Sequence, residues 1–129
     1  MPLSADDAFE LSKQFRDLGI NLGNYRFANW NNLTPTQRRD LEDEEWSLLN
    51  SSSDMTTKAV GLALDESEIN AQSIKTSVGK AKRAIKKLEK VGDVIKVATA
   101  TVGLAAAIVA KDPGAIAKNA KFVLEAADT

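Results

Sequence analysis

Apolar positions along this chain recur at helical spacing, and the breaks between the patterned stretches carry capping signals. Ser4 suits a helix N-cap, and Asp6 and Asp7 complement the positive end of the helix that follows. Ala8, Phe9, Leu11, Phe15 and Leu18 then fall roughly on one side, and Gly19 can end the helix. Between Asn21 and Asn32 the pattern is interrupted by Gly23 and several Asn, which predicts a short helix or turn. Thr34-Pro35-Thr36-Gln37 combines an N-cap, a proline at the first helical position and the Gln of a capping box. It predicts a helix to about Leu49, with Leu41, Trp46 and Leu49 apolar, a loop at Asn50–Ser53, and Asp54 as the next cap.

From Met55 to about Val91 no proline intervenes. Val60, Leu64, Ala71, Ile74, Val78, Ala81, Ile85 and Leu88 follow alternating steps of four and three, with Ser67 in one slot. That is the seam of a coiled coil or an antiparallel bundle. Unbroken, the helix would reach about 55 Å at 1.5 Å per residue, and Asp65-Glu66-Ser67 is where it can kink. Gly92-Asp93 reads as a stop and a new cap. The run Val94–Ala110 that follows is apolar apart from Lys96, and it is Ala-rich and too long for a typical strand, so a helix is expected. Asp112-Pro113 caps a last helix bearing Ile116, Ala120, Val123 and Ala127 on one side.

These elements predict one all-α domain, an antiparallel bundle of four to five helices. Residues 1–50 supply acidic, aromatic-rich helices, 54–91 a long basic amphipathic helix, and 93–127 an apolar hairpin whose first helix is central. At 129 residues the chain buries a modest core without disulfides.

Composition narrows the chemistry. The chain has no Cys and no His, so thiol chemistry, the commonest general base and the commonest transition-metal ligand are all missing. Asp40, Glu42, Asp43, Glu44 and Glu45 are acidic in five of six positions and point around a helix, a solvated face or a partner for basic residues rather than a convergent site. No calcium-loop pattern is present. An enzyme is therefore not expected, and no cofactor or metal is implied.

Charge is divided along the chain. Residues 1–70 hold 13 acids and 6 bases, residues 71–129 hold 5 acids and 11 bases. The halves can compensate by packing together, or the basic face can meet an external polyanion. Lys82, Arg83, Lys86, Lys87 and Lys90 are the candidate polyanion contacts. Nucleic acid is disfavoured, because no aromatic lies between Trp46 and Phe122 for base stacking and Arg83 stands alone among lysines. Phe9, Phe15, Tyr25, Phe27 and Trp46 are expected in the core, with Trp30 the exception among its Asn neighbours.

The expected function is a non-enzymatic helical interaction protein, acting through self-association or contact with another protein. Ile74, Val78, Ile85 and Leu88 form its packing seam. The alternative is a membrane-active protein that uses the hairpin 94–123, with Val97, Val102, Leu104, Ile108 and Val109 as the inserting or interface run and the basic helix 75–96 on anionic lipid. That layout is similar in architecture to α-helical pore-forming toxins, a similarity carried by no sequence motif. Partners are expected to be a protein or a second copy, with an anionic membrane as the alternative and no small-molecule substrate evident. The acidic start MPLSADDAFE lacks a basic n-region and an apolar h-region, so a cytoplasmic location, or export without a cleavable signal, is expected.

Overall fold

The computed structural model describes residues 2–62, 64 and 69–128. Among these residues the chain is all-helical: α1 (Ala5–Ala28), a short 3₁₀ turn (Trp30–Asn32), α2 (Pro35–Lys58), α3 (Ala71–Lys87), α4 (Val91–Val109) and α5 (Pro113–Ala127). Neighbouring pairs close a ring in the order α1, α2, α4, α5, α3 and back to α1, with α3 also touching α4 across it. The core fills the ring and is built from residues such as Phe15, Leu18, Leu48, Ile74, Leu104 and Ile116.

The caps form as the sequence leads one to expect. Ser4 accepts from the Asp7 amide at 3.0 Å, while Asp7 accepts from the Ser4 amide at 3.3 Å. Thr34 and Gln37 make the same reciprocal pair at 3.1 and 2.9 Å. Asp112 caps α5 after a left-handed Lys111 (φ 58°). Leu3 is buried and exchanges two backbone hydrogen bonds of 2.8 Å with Gly61 and Leu62, which fastens the start of the chain to the end of α2.

Four boundaries differ from the expectation. Helix α1 continues nine residues past Gly19, because Gly19 and Gly23 serve as contact points with α2 rather than as stops. A Cβ on Gly19 would meet the Glu45 carbonyl oxygen at 3.3 Å and Leu48 Cβ at 3.4 Å. Helix α2 runs through Asn50–Ser53 to Lys58, since the Ser52 hydroxyl donates back to the Leu49 carbonyl (2.8 Å) and Leu48, Ser52 and Met55 continue the buried face. The long helix expected over 54–91 is divided. Its first residues belong to α2, which is followed by a left-handed Gly61 (φ 79°). Asn70 caps α3 through the Ser73 amide at 2.8 Å.

At the other end, α3 stops at Lys87. Leu88 and Lys90 are extended, and Gly92 lies inside α4 rather than ending a helix. Helices α1 and α2 have 24 residues each, about 36 Å, so a 55 Å helix would project beyond anything able to cover it. The expected kink at Asp65-Glu66-Ser67 lies outside the described residues.

Helix α4 is not central. Val94, Val97, Ala98, Thr101, Leu104 and Ile108 are buried, but Thr99 and Ala106 face solvent and less than half of the helix is covered. Small residues on its outer side make this arrangement tolerable without a covering layer. The buried Thr101 hydroxyl donates to the Val97 carbonyl at 2.7 Å, the back-bond that suits Thr inside a helix.

Candidate interaction surfaces

The seam expected to mediate self-association is internal. Ile74 and Val78 are fully buried, Ile85 is nearly so, and Leu88 is half-buried against the same core. Of the run expected at a membrane or interface, Val97, Leu104 and Ile108 are buried and Val102 and Val109 half-buried. Both sets are held by the chain's own helices.

The two charged halves meet where α1 lies beside α3. Lys75 Nζ donates to Asp7 at 2.8 Å and stands 2.7 Å from Glu10, and Lys82 Nζ donates to Asp17 at 3.4 Å. The Lys75 hydrogen bond holds the Asp7 carboxyl below the ordinary range against the opposing effect of burial. Bonds to Asp7 and then Glu10 raise Lys75. Lys82 therefore belongs to an intramolecular pair, while Arg83, Lys86, Lys87 and Lys90 are exposed and make no salt bridge among the described residues.

On α2, the acidic run divides by direction. Glu45 binds Arg26 at 3.2 Å, with Glu42 at 3.7 Å, at the α1–α2 contact. Glu44 turns towards α4 and accepts from the Thr99 hydroxyl at 2.8 Å. Burial pushes Glu44 above the ordinary carboxylate range, and the charges of Asp40 and Asp43 add to the shift against that hydrogen bond. Burial likewise raises Tyr25.

Open grooves among the described residues include one of about 650 Å³ between α3 and α5 beside Ser73, Ser77, Lys118 and Lys121, and one of about 570 Å³ between α4 and α5 beside Gly103, Asn119 and Phe122. Neither is lined by a carboxylate pair, and in the first the Ser73 and Ser77 hydroxyls donate to Asn70 and to the Ser73 carbonyl rather than to Lys118 or Lys121. No group of three or more acidic residues able to hold a metal occurs among the described residues.

The surface that sequence reasoning missed is aromatic. Of the aromatics expected in the core, Phe15 is buried and Tyr25 half-buried, but Phe9 (63 %), Phe27 (68 %) and Trp46 (57 %) are exposed, with Trp30 at 41 %. Ile20 joins them. Phe9, Ile20 and Phe27 are 11 and 7 residues apart, which at about 100° per residue places them on one line along α1, opposite Leu11, Leu18 and Leu22. Lys13 and Arg16 lie within the same stripe and are exposed. The spacing is visible in the sequence, but only once α1 is known to reach Ala28.

At the α1–α2 corner the aromatics are ordered by cations. Phe27 and Trp30 stack with centroids 6.3 Å apart and planes at 16°. The Arg26 guanidinium sits 4.7 Å from the Phe27 centroid and that of Arg38 sits 4.4 Å from the Trp30 ring. Arg38 also donates to the Trp30 carbonyl from Nη2 at 2.6 Å and from Nε at 3.0 Å. These contacts hold the two rings in a fixed pose while both stay exposed, which is how preformed contact residues are arranged.

Among the described residues one helix, Val91–Val109, is long and apolar enough by length and composition to cross a membrane. Comparison with protein-family models, with curated proteins and with solved structures returns no match.

Proposed function

We propose that this chain is a non-enzymatic interaction module whose contact surface is the outer layer formed by α1 and α2. The observation that carries the reading is the exposure of Phe9, Ile20, Phe27 and Trp46 on this helical pair and of Trp30 in the turn that joins it; among the described residues the other large exposed apolar side chains are Val60 and Phe122. Scattered single apolar residues need no explanation, but Phe9, Ile20 and Phe27 aligned along α1 and ending at a Phe27–Trp30 pair fixed by cation–π contacts do. The lack of His and Cys supports a role without catalysis. With Ile74, Val78 and Ile85 inside the fold, contact through α3 would require the bundle to open, which favours the α1–α2 layer as the working surface.

The test is a photo-reactive amino acid placed at Ile20, with Lys96 as an exposed control on α4, in a cell that produces the protein. Protein adducts at position 20 well above those at position 96 are expected. Equal or absent adducts would contradict the reading.

A second reading is membrane activity. It is favoured by the apolar length of α4, of which 44 % is buried, and by the exposed cations Arg83, Lys86, Lys87 and Lys90 around the α3–α4 junction, which make no salt bridge among the described residues. Flotation with anionic vesicles that survives near-physiological salt supports it. Flotation lost with salt, or with Lys86→Glu/Lys87→Glu, leaves only headgroup attraction, and no flotation removes the idea.

A further inference from the structure

We infer that the occupant of the α1–α2 layer is a second copy of this chain, docked about a twofold axis parallel to the helices so that α1 of each copy lies over α2 of the other. The inference rests on the reading of this layer as the contact surface and names what it contacts.

The first ground is register. Ser12 donates to the Ser52 carbonyl, Gly19 abuts Leu48, Gly23 abuts Glu45, and Arg26 reaches Glu42. These contacts make the pair antiparallel and set the height of each residue on one helix against the other. Ile20 and Trp46 differ in height by only one or two residues of rise, about 2–3 Å. A twofold axis along the helices preserves height. It therefore brings Ile20 of one copy, 48 % exposed, to Trp46 of the other, 57 % exposed, and does so twice.

Charge selects this docking over the simpler one in which α1 packs on α1. Lys13 and Arg16 interrupt the α1 stripe and make no salt bridge among the described residues, whereas Asp7, Glu10 and Asp17 are already bound by Lys75 and Lys82. Packing α1 on α1 would place four cations in one seam. Packing α1 on α2 instead sets Arg16 level with Asn50 and Lys13 level with Asp54, both exposed on α2, where Asp54 meets only the solvent-exposed Lys58 at 3.9 Å. Like charges are separated, and Lys13 shares Asp54 with Lys58.

Area is sufficient. A layer of two 24-residue helices measures about 36 by 20 Å, so two such faces bury about 1,400 Å², within the range of specific interfaces. The contact is isologous and closes at two copies.

The chain has no cysteine, which permits a direct test. Ile20→Cys and Trp46→Cys variants are prepared separately, mixed and oxidised, so that any disulfide between the two positions joins different molecules. The mixture is expected to give a species of twice 13.9 kDa about ten-fold faster than either variant alone, or than Ile20→Cys mixed with Phe122→Cys. Equal rates in all mixtures, or preferred coupling of Ile20→Cys with itself, would overturn the inference. Adducts at position 20 to a protein of another mass, with no such disulfide, would overturn it while leaving the contact-surface reading intact. Absence of any adduct would end both.

Discussion

The Glu45 carboxylate occupies the space where a side chain on Gly23 would begin: Oε1 stands 2.7 Å from the position of a Cβ there, while Oε2 of the same group holds Arg26 at 3.2 Å. The bare backbone at Gly23 is therefore what lets a nearly buried Arg–Glu pair lie between α1 and α2. Gly23→Ala is expected to cost about 1 kcal/mol, since displacing the Glu45 carboxylate outweighs the helix-propensity gain of similar size. In a Glu45→Ala background the same change is expected to stabilise by about 1 kcal/mol. Urea denaturation of the four-member cycle checks this, and additivity would refute it.

The Asp7–Lys75 pair predicts pH dependence at both ends. Asp7 titrates lower in the fold than in the unfolded chain, so its contribution is present above the ordinary carboxylate value and lost as pH falls through its lowered folded value. Lys75 titrates higher in the fold, so its contribution is present below its ordinary value and lost as pH rises through the raised one. Lys75→Met is expected to lower stability at pH 7 by about 1 kcal/mol and to flatten the acid limb. An unchanged acid limb in the variant contradicts the assignment.

Glu44 has the opposite sign. Its raised titration means that the fold binds the proton more tightly than the unfolded chain does. Stability therefore falls as pH rises from the ordinary glutamate value through the raised one. Glu44→Gln keeps an oxygen for the Thr99 hydroxyl and removes the charge beside Asp40 and Asp43. It is expected to raise the melting temperature at pH 7 and to leave it unchanged at pH 3.

Core and surface aromatics should separate cleanly. Phe15→Ala is expected to cost about 3–5 kcal/mol, whereas Ile20→Ser changes stability by less than about 0.5 kcal/mol. Ile85→Asp places a charge in the core and is expected to unfold the chain. Comparable losses from Phe15→Ala and Ile20→Ser would show that the α1 stripe serves folding rather than contact.

What was legible in the sequence follows from the range of the forces involved. Ser4, Thr34 and Asp112 act within one turn, so their caps can be recognised locally. The four–three spacing from Ile74 to Ile85 likewise marks a buried face wherever the helix packs. Gly19 was ambiguous because a missing Cβ serves a helix end and a close helix contact equally well, and only α2 decides between them. Asn50–Ser53 resembles a loop because hydroxyl and amide side chains compete for backbone groups, yet Ser52 uses that same hydrogen bond inside the helix. The exposure of Phe9, Phe27 and Trp46 was hidden for a different reason. Their burial depends on which helices stand beside α1 and α2, and hydropathy alone assigns large aromatics to the core.

Sedimentation equilibrium of the wild-type chain and of Ile20→Asp decides whether a second copy occupies the α1–α2 layer. With the second copy seated on the α1–α2 layer, the wild-type mass rises from 13.9 kDa towards twice that value as concentration increases, while the folded Ile20→Asp variant stays at 13.9 kDa. A wild-type mass fixed at 13.9 kDa up to about 1 mM, or equal association by the variant, would contradict that occupancy.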